Sequence, residues 1–164
     1  MVCEMNISEQ NKKVESNTSV DVHFTNDVVM HIPIEPVPKS RPRITVRGGY
    51  ARAYTPKKTA DFENQVATFV RAFWGKREPI TGPVMLQITV LRSRPKRLCR
   101  RKDPGHAIPC DTKPDLDNYV KAILDACEKA QIFTNGDQQV FAVNAMKMWA
   151  PKGDSGSILV KVIP

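Results

Sequence analysis

The spacing of apolar residues changes along this chain, and it limits the fold more than any other feature. Apolar residues alternate over residues 28–34 and again over residues 84–90, which predicts two half-buried strands. They recur at helical spacing over residues 56–74 and 116–131, which predicts two amphipathic helices. The apolar positions of the first helix are Phe62, Val66, Phe69, Val70 and Phe73.

The remaining segments complete an alternating order of strands and helices. Gly48-Gly49 lies between two short segments and predicts a β-hairpin over residues 43–54. Residues 138–149 and 157–163 predict two closing strands, whereas residues 92–112 have no period and predict a loop. We therefore expect an α+β fold in which two helices pack against a single mixed β-sheet.

The charge of the chain is large and unevenly distributed. The 164 residues carry a net charge of +8, which favours a polyanionic partner. Residues 1–27 hold five acids and two lysines and have no apolar periodicity, so they predict a disordered acidic tail before a folded domain over residues 28–164. The longest apolar run, Val140 to Val143, is far shorter than the ~20 residues that span a bilayer. We expect a cytoplasmic protein with no membrane partner.

Two segments of the domain are strongly basic and contain no acid. One lies between Glu35 and Asp61, and the other runs from Arg92 to Lys102, where seven of eleven residues are Lys or Arg. Clustered cations repel one another unless a polyanion neutralises them, so both segments predict contacts to nucleic-acid phosphates. The candidate DNA-binding residues are Lys39, Arg41, Arg43, Arg47, Lys57, Lys58, Arg94, Lys96, Arg97, Arg100, Arg101 and Lys102.

Acids are rare in the basic domain, which makes a close pair of them informative. Asp115 and Asp117 lie two residues apart at the predicted start of the second helix. An aspartate that caps the helix explains one of them, but two carboxylates together favour a hard divalent cation such as Mg²⁺. Lys121 follows one turn later, either as a surface ion pair with Asp117 or as a cation beside a scissile phosphate. Asp137 is a candidate third carboxylate.

Two stretches of this sequence resemble a known family. The string KPDLDNYVKAILDACEKAQIFTNGDQQV (113–140) resembles the signature of the RusA family of Holliday junction resolvases, and EPVPKSRPRITVRGGYARAYTPKKTADFE (35–63) is similar to the N-terminal half of that family. The resemblance implies a RusA-like fold in a homodimeric, Mg²⁺-dependent endonuclease, with Mn²⁺ able to substitute and without a small-molecule cofactor. Its substrate would be a four-way DNA junction, in a bacterial cell or a phage-infected host.

The resemblance also assigns roles to individual residues. Asp115 and Asp117 match the paired essential carboxylates, Lys121 matches the active-site lysine, and Asp137 matches the acid that precedes x-Gln-Val. The three aspartates would bind the metal, and all four residues would be catalytic. At the position of Asp137, family members usually have two consecutive acids, whereas this chain has Gly136 before Asp137. Because one acid is missing, a junction-binding protein without nuclease activity is an alternative. An RNA-binding protein is a second alternative, since basic α/β domains of this size are common.

The position of Asp137 poses a geometric problem. A helix over residues 116–131 is ~24 Å long, so Asp137 follows the end that lies far from Asp115 and Asp117. Either the helix ends near Cys127 and the chain doubles back, or Asp137 serves the site of the partner subunit. We expect the first arrangement.

Overall fold

The computed structural model describes residues 27–164, so the predicted acidic tail lies, except for Asp27, outside the described residues. The strands are β1 (Val28–Ile32), β2 (Arg43–Arg47), β3 (Tyr50–Tyr54), β4 (Val84–Arg92), β5 (Ile108–Pro109), β6 (Val140–Trp149) and β7 (Ser157–Ile163). The helices are α1 (Lys57–Trp74) and α2 (Leu116–Lys129), and Lys96–Leu98 and Gly136–Gln139 form short 3-10 helices. The predicted α+β class with two helices and a mixed sheet is confirmed, but a 3-10 helix and the two-residue strand β5 lie within the segment predicted as a loop.

Five strands form a mixed sheet in the order β1-β7-β4-β6-β5. β4 and β6 are parallel, and β7 runs antiparallel to both β4 and β1. Strands β1, β4 and β6 therefore all end at the same edge of the sheet, here called the carboxyl edge. β4 and β6 begin at the opposite edge, here called the amino edge. In the chain, α1 follows β1, β2 and β3, and α2 follows β5, which pairs with the last two residues of β6. The residues that precede both helices therefore lie at the carboxyl edge.

The two helices pack on one face of the sheet and on each other. The core side chains come from α1, α2 and the inward positions of β1, β4 and β7. Val66 and Val70 are fully buried on α1, whereas Phe69 and Phe73 are 44% and 48% exposed, so their predicted place on the apolar face is wrong. The buried stripe of α1 instead includes Thr59, Glu63 and Trp74. The five apolar positions of α1 cover a wider part of the helix surface than the face that contacts the core. The spacing therefore assigned two exposed phenylalanines to the buried face.

A buried carboxylate ties the two helices together. Glu63 of α1 accepts hydrogen bonds from Lys39 at 2.6 Å and from Lys129 of α2 at 2.7 Å. Lys39 also pairs with Asp125 of α2, and its backbone N–H donates to the carbonyl of Asn118 at 2.8 Å. Burial would raise the pKa of Glu63, but the hydrogen bonds from the two lysines outweigh burial and hold that pKa below its usual value.

The hairpin β2–β3 is separate from the five-stranded sheet and forms a two-stranded sheet of its own. Gly48 and Gly49 have φ values of 61° and 82°, the left-handed conformation that a tight hairpin turn requires and that glycine adopts without steric cost. The hairpin lies between β1 and α1 in the chain, so it projects from the carboxyl edge.

Candidate active site

The carboxylate pair lies at the carboxyl edge, where α2 begins. Asp115 occupies the N-cap position of α2, but within residues 27–164 its side chain makes no capping hydrogen bond. Asp117 lies in the first turn, and its carboxylate accepts one hydrogen bond, from Asn118 at 3.3 Å. Both aspartates are exposed. The side chain of Asp115 thus does not cap α2 within the described residues, and both carboxylates are available to a ligand.

Lys121 is exposed on α2, one turn after Asp117. The surface ion pair that could have explained this lysine does not form: within residues 27–164 no carboxylate lies within salt-bridge distance of Lys121. Among the described residues, the ammonium group therefore pairs with no carboxylate, and it lies one helical turn from Asp117.

Two further cations fix the turn that leads into the pair. Lys147 of β6 donates from Nζ to the carbonyls of Thr112 at 2.6 Å and Pro114 at 2.7 Å. Arg92, the last residue of β4, donates to the carbonyl of Lys113 at 3.1 Å. Three consecutive carbonyls just before Asp115 are therefore bound by cations from two strands of the sheet, which holds the start of α2 in place.

Arg92 is itself held by aromatic and polar neighbours. Its guanidinium lies 4.6 Å from the ring centroid of Trp149 and 6.0 Å from that of Tyr119. Burial would raise the pKa of the Cys110 thiol, but hydrogen bonds with Thr112 and Arg92 outweigh burial and lower it. Sequence reasoning missed Arg92 and Lys147 as supports of the site. The available signal was that Lys147 is the only charged residue of β6.

Asp137 lies at the amino edge, away from the carboxylate pair. It belongs to the 3-10 helix Gly136–Gln139, directly before β6. Gln139 anchors this turn, because its side-chain amide donates to the carbonyls of Ile80 at 2.9 Å and Gly82 at 2.7 Å, just before β4 begins. Asp137 is exposed.

The length of α2 accounts for the separation. Gly136 lies against Glu128, near the C-terminal end of α2, and a Cβ atom at position 136 would meet Glu128 Oε1 at 2.8 Å. Asp117 lies eleven residues before Glu128, which is ~16 Å along a helix. The helix ends at Lys129, close to the expected Cys127. The expectation that the chain then returns Asp137 to the pair is wrong, because Asp137 lies beside the C-terminal end of α2. Within residues 27–164, no three His, Cys, Asp or Glu side chains form a metal-binding group.

The hairpin presents a basic and aromatic face. The antiparallel register places Arg43 opposite Tyr54 and Thr45 opposite Arg52, so these side chains share one face, and Tyr50 lies on the same face. Tyr50 is 75% exposed and Tyr54 is 45% exposed. Arg47 belongs to β2, but its side chain lies outside the described part of the chain. Exposed tyrosines beside arginines match the stacking and phosphate contacts of nucleic-acid surfaces.

The basic loop between β4 and β5 adds a second cationic surface at the carboxyl edge. Lys152 donates from Nζ to the carbonyl of Arg100 at 2.5 Å and also to that of Asp103, which ties the loop to the segment before β7. The loop leaves these cations exposed: Lys96, Arg97, Arg100, Arg101 and Lys102. The loop therefore projects charge toward solvent from a fixed backbone.

Several residues assigned from the sequence have other roles in the structure. Lys39 is engaged with Glu63 and Asp125, and the guanidinium of Arg94 donates to backbone carbonyls, including that of Ala150 at 2.9 Å. These two side chains contact the protein itself, and their predicted contacts to DNA stay a prediction. The assigned cations of the first segment that remain exposed are Arg41, Arg43, Lys57 and Lys58.

Two aromatic residues outside the hairpin are not available to DNA. Phe133 and Trp149 are 5% and 6% exposed, so both are buried, in contrast to Tyr50 and Tyr54. Within residues 27–164, no helix has the length and apolar character needed to cross a membrane.

An α+β domain with an exposed carboxylate pair, an exposed lysine beside it and two basic surfaces at one edge has the form of a nuclease. The family model described as "Endodeoxyribonuclease RusA" matches residues 33–162. The chain therefore belongs to the RusA family of endodeoxyribonucleases, and the resemblance read from residues 35–63 and 113–140 is confirmed.

Two relatives show how far the similarity extends. The uncharacterized protein YqaN of Bacillus subtilis (strain 168) is 34% identical over 122 residues, which cover 71% of this chain and 83% of that protein. The crossover junction endodeoxyribonuclease RusA of Aquifex aeolicus (strain VF5) is 28% identical over 139 residues, which cover 84% of this chain and 92% of that protein.

Proposed function

We propose that this protein is a Mg²⁺-dependent Holliday junction resolvase that introduces paired, symmetric nicks into four-way DNA junctions during recombination and repair. The observation that carries the proposal is the arrangement at the start of α2, directly after a turn bound by cations. Two exposed carboxylates lie there beside a lysine that pairs with no carboxylate within residues 27–164. A relative named for crossover junctions, with 92% of its length covered, supports this choice of substrate.

Asp115 and Asp117 are the residues that would hold the metal. Mg²⁺ prefers carboxylate oxygens and usually binds through one or two protein carboxylates while it keeps several waters. The pair fits this preference because both side chains are exposed and Asp115 does not cap its helix. A bound divalent cation supplies Lewis acidity to the phosphate and lowers the pKa of an attacking water. Mn²⁺ has a similar preference for oxygen ligands and would substitute.

The other site residues act on the DNA and on the site itself. Lys121 would place its ammonium group beside the scissile phosphate and stabilise the negative charge that develops during hydrolysis. Arg92 and Lys147 would hold the backbone before Asp115 so that both carboxylates keep their orientation. Positioning of this kind matters because small displacements of catalytic groups reduce the rate strongly.

Asp137 would complete the site of the other subunit in a homodimer. One chain places Asp137 at the amino edge and the carboxylate pair at the carboxyl edge, so one chain alone does not assemble three carboxylates. A second copy related by a two-fold axis would reverse the two edges and could bring its own Asp137 to the pair. Two such composite sites also match the two-fold character of paired nicking.

The basic surfaces would bind the arms of the junction. Arg43 and Arg52 on the hairpin and the exposed cations of the basic loop would contact phosphates, and Tyr50 and Tyr54 would stack on exposed bases at the branch point. Binding through phosphates weakens steeply as the salt concentration rises.

Cleavage of a labelled four-way junction, beside a linear duplex of the same sequence, tests the proposal. We expect paired nicks with Mg²⁺, none with EDTA, and a decrease of at least about 100-fold for Asp117→Asn, because that change removes a metal-binding carboxylate. Asp111→Asn is the matched control, since Asp111 is an exposed acid in the segment before the site. Tight junction binding without any cleavage under Mg²⁺ or Mn²⁺ would contradict the proposal and leave a junction-binding protein.

A further inference from the structure

The hairpin β2–β3 stands apart from the rest of the domain. Within residues 27–164, its two strands pair only with each other. Every side chain that the structure describes in these two strands is exposed. A two-stranded hairpin with nothing packed against it is marginally stable in water, because neither of its faces is covered. A partner that covers one face therefore stabilises the hairpin when it binds.

The second face of the hairpin is aliphatic. The register places Ile44 opposite Ala53 and Val46 opposite Ala51, so these four side chains lie on the face opposite the basic and aromatic one. Ile44 is 73% exposed and Val46 is 70% exposed. These four residues are here called the aliphatic face. Large apolar side chains that lie together in solvent mark a contact surface.

The hairpin is joined closely to the helix that carries the carboxylate pair. Lys39 lies four residues before Arg43, where β2 begins, and its backbone N–H donates to the carbonyl of Asn118 at 2.8 Å. Its ammonium group pairs with Glu63 and Asp125. Four residues span at most ~14 Å, so β2 begins within that distance of a residue bound to the first turn of α2. The aliphatic face therefore lies near the bond that the carboxylate pair would cut.

The charge of the hairpin favours DNA as the molecule that covers this face. No acid lies between Glu35 and Asp61, so the whole segment around the hairpin is positive. Two copies of the hairpin would bring Arg43 and Arg52 of one copy near the same cations of the other, and like charges repel. A polyanion that also offers an apolar surface fits both faces, and the apolar surface of DNA is the face of a base.

Base faces are covered by stacking in a linear duplex, whereas the stack is interrupted at a branch point. Inserting apolar side chains between stacked bases costs a few kcal/mol of unstacking, and this cost is smaller where the stack is already broken. Cations contact the phosphates of a linear duplex and of a branched DNA in the same way. An aliphatic face therefore distinguishes the two kinds of DNA, which a basic face does not.

We propose that the aliphatic face of the hairpin covers the unstacked bases at the branch point, so that Ile44 and Val46 make the protein prefer branched DNA to linear duplex. This inference rests on the proposed function and names the residues that select its substrate. The basic face of the same hairpin holds the neighbouring phosphates, and the two faces together keep the branch point beside the start of α2.

The double variant Ile44→Thr with Val46→Thr tests the selection. Threonine keeps the β-branched shape that strands favour and removes the apolar surface. The dissociation constant for a four-way junction should rise about tenfold, that for a linear duplex should change less than twofold, and the salt slope should stay the same because no charge changes. Gel-shift titration in EDTA measures these quantities without cleavage.

Val29→Thr is the matched control, because Val29 is a β-branched residue that is 56% exposed on β1, away from the hairpin. It should change neither dissociation constant, and circular dichroism checks that all the variants fold. Equal losses on the two DNAs in the double variant, or no loss on either, would overturn the proposal.

Fluorescence of 2-aminopurine at the branch point is a second test, and it does not depend on affinity. Stacking quenches this base, so wild-type protein at saturation should raise its fluorescence, and the double variant at saturation should raise it much less. The same base in the middle of an arm should not respond. A protein that cuts junctions while the branch-point signal is unchanged overturns the inference and leaves the proposed function intact. A wild-type signal that the double variant loses, without any cleavage under Mg²⁺ or Mn²⁺, keeps the inference and overturns the nuclease.

Discussion

The two edges of the sheet differ in what they offer to DNA. At the carboxyl edge lie the carboxylate pair, Lys121, the basic hairpin and the basic loop, all before or beside the first turns of the helices. At the amino edge lies Asp137, in a turn that Gln139 fixes by hydrogen bonds to backbone carbonyls. One edge thus holds almost the whole proposed site, and the other holds Asp137, which the fold of a single chain keeps away from the carboxylate pair.

This difference follows from the parallel pairing of β4 and β6. A helix that connects two parallel strands must run back along the sheet, so its first residues lie at the carboxyl edge and the residues after it lie at the amino edge. The motif that begins with Asp115 and ends beyond Asp137 spans this whole connection. Residues that are close in the motif are therefore separated by the length of α2.

Removing the support beneath the pair should have the largest effect. Lys147→Met leaves the carbonyls of Thr112 and Pro114 without their cation, and we expect the cleavage rate of the junction to fall about 30-fold while the dissociation constant for junction DNA changes less than twofold. Single-turnover cleavage and gel-shift titration measure the two quantities. Lys161→Met on β7 is the matched control, and equal losses in both variants would contradict this role for Lys147.

Removing the buried carboxylate of Glu63 tests how much the ion pairs between α1 and α2 stabilise the fold that separates the two edges. Glu63→Gln removes the buried carboxylate that two lysines share, and we expect the free energy of unfolding to fall by about 2 kcal/mol at pH 7. Because the folded pKa of Glu63 lies below its usual 4.5, the ionised group stabilises the protein above that pH and loses this effect as the pH falls through the folded value.

The difference between wild type and Glu63→Gln should therefore shrink below about pH 4 in urea titrations at several pH values. Glu78→Gln provides a control carboxylate that is exposed. A difference that stays constant from pH 7 to pH 3 would show that Glu63 does not stabilise the fold through its charge.

Removing one hairpin cation should weaken binding at the carboxyl edge only. Arg52→Ala should reduce junction affinity about fivefold and lower the slope of log affinity against log salt by about 1, because one phosphate contact is lost. Lys76→Ala, an exposed cation after α1 at the amino edge, should change neither quantity. Equal effects in both variants would mean that DNA contacts the two edges alike.

The smallest effect concerns the turn that carries Asp137. Gly136 has a φ of 77°, and a Cβ atom there would lie 2.8 Å from the carboxylate of Glu128. Gly136→Ala should lower the free energy of unfolding by about 1 kcal/mol, since an L-residue in the left-handed region is strained. Gly105→Ala meets no atom within 4 Å and serves as the control in thermal unfolding. No difference between the two would contradict the strain.

The sequence predicted most of the fold because its periodicity is local. Alternation and helical spacing located the strands and helices within a few residues, and Gly48-Gly49 located the hairpin turn. The carboxylate pair was also predictable, since both aspartates lie within one helical turn. The position of Asp137 was not, because it depends on where α2 ends and on the direction of β6. The roles of Lys39, Arg94 and Lys147 were not predictable either, since their partners are distant in the sequence.

Mixing two inactive variants tests the shared site most directly. Asp117→Asn and Asp137→Asn are each expected to be inactive alone, because each spoils both sites of a homodimer. In a mixed dimer with composite sites, one site carries both substitutions and the other carries none, so we expect single nicks in the four-way junction after the two proteins are mixed and allowed to exchange subunits. If Asp137 served its own chain, every site in the mixture would carry one substitution. No recovery of nicking, in a mixture shown to contain mixed dimers, would contradict the account.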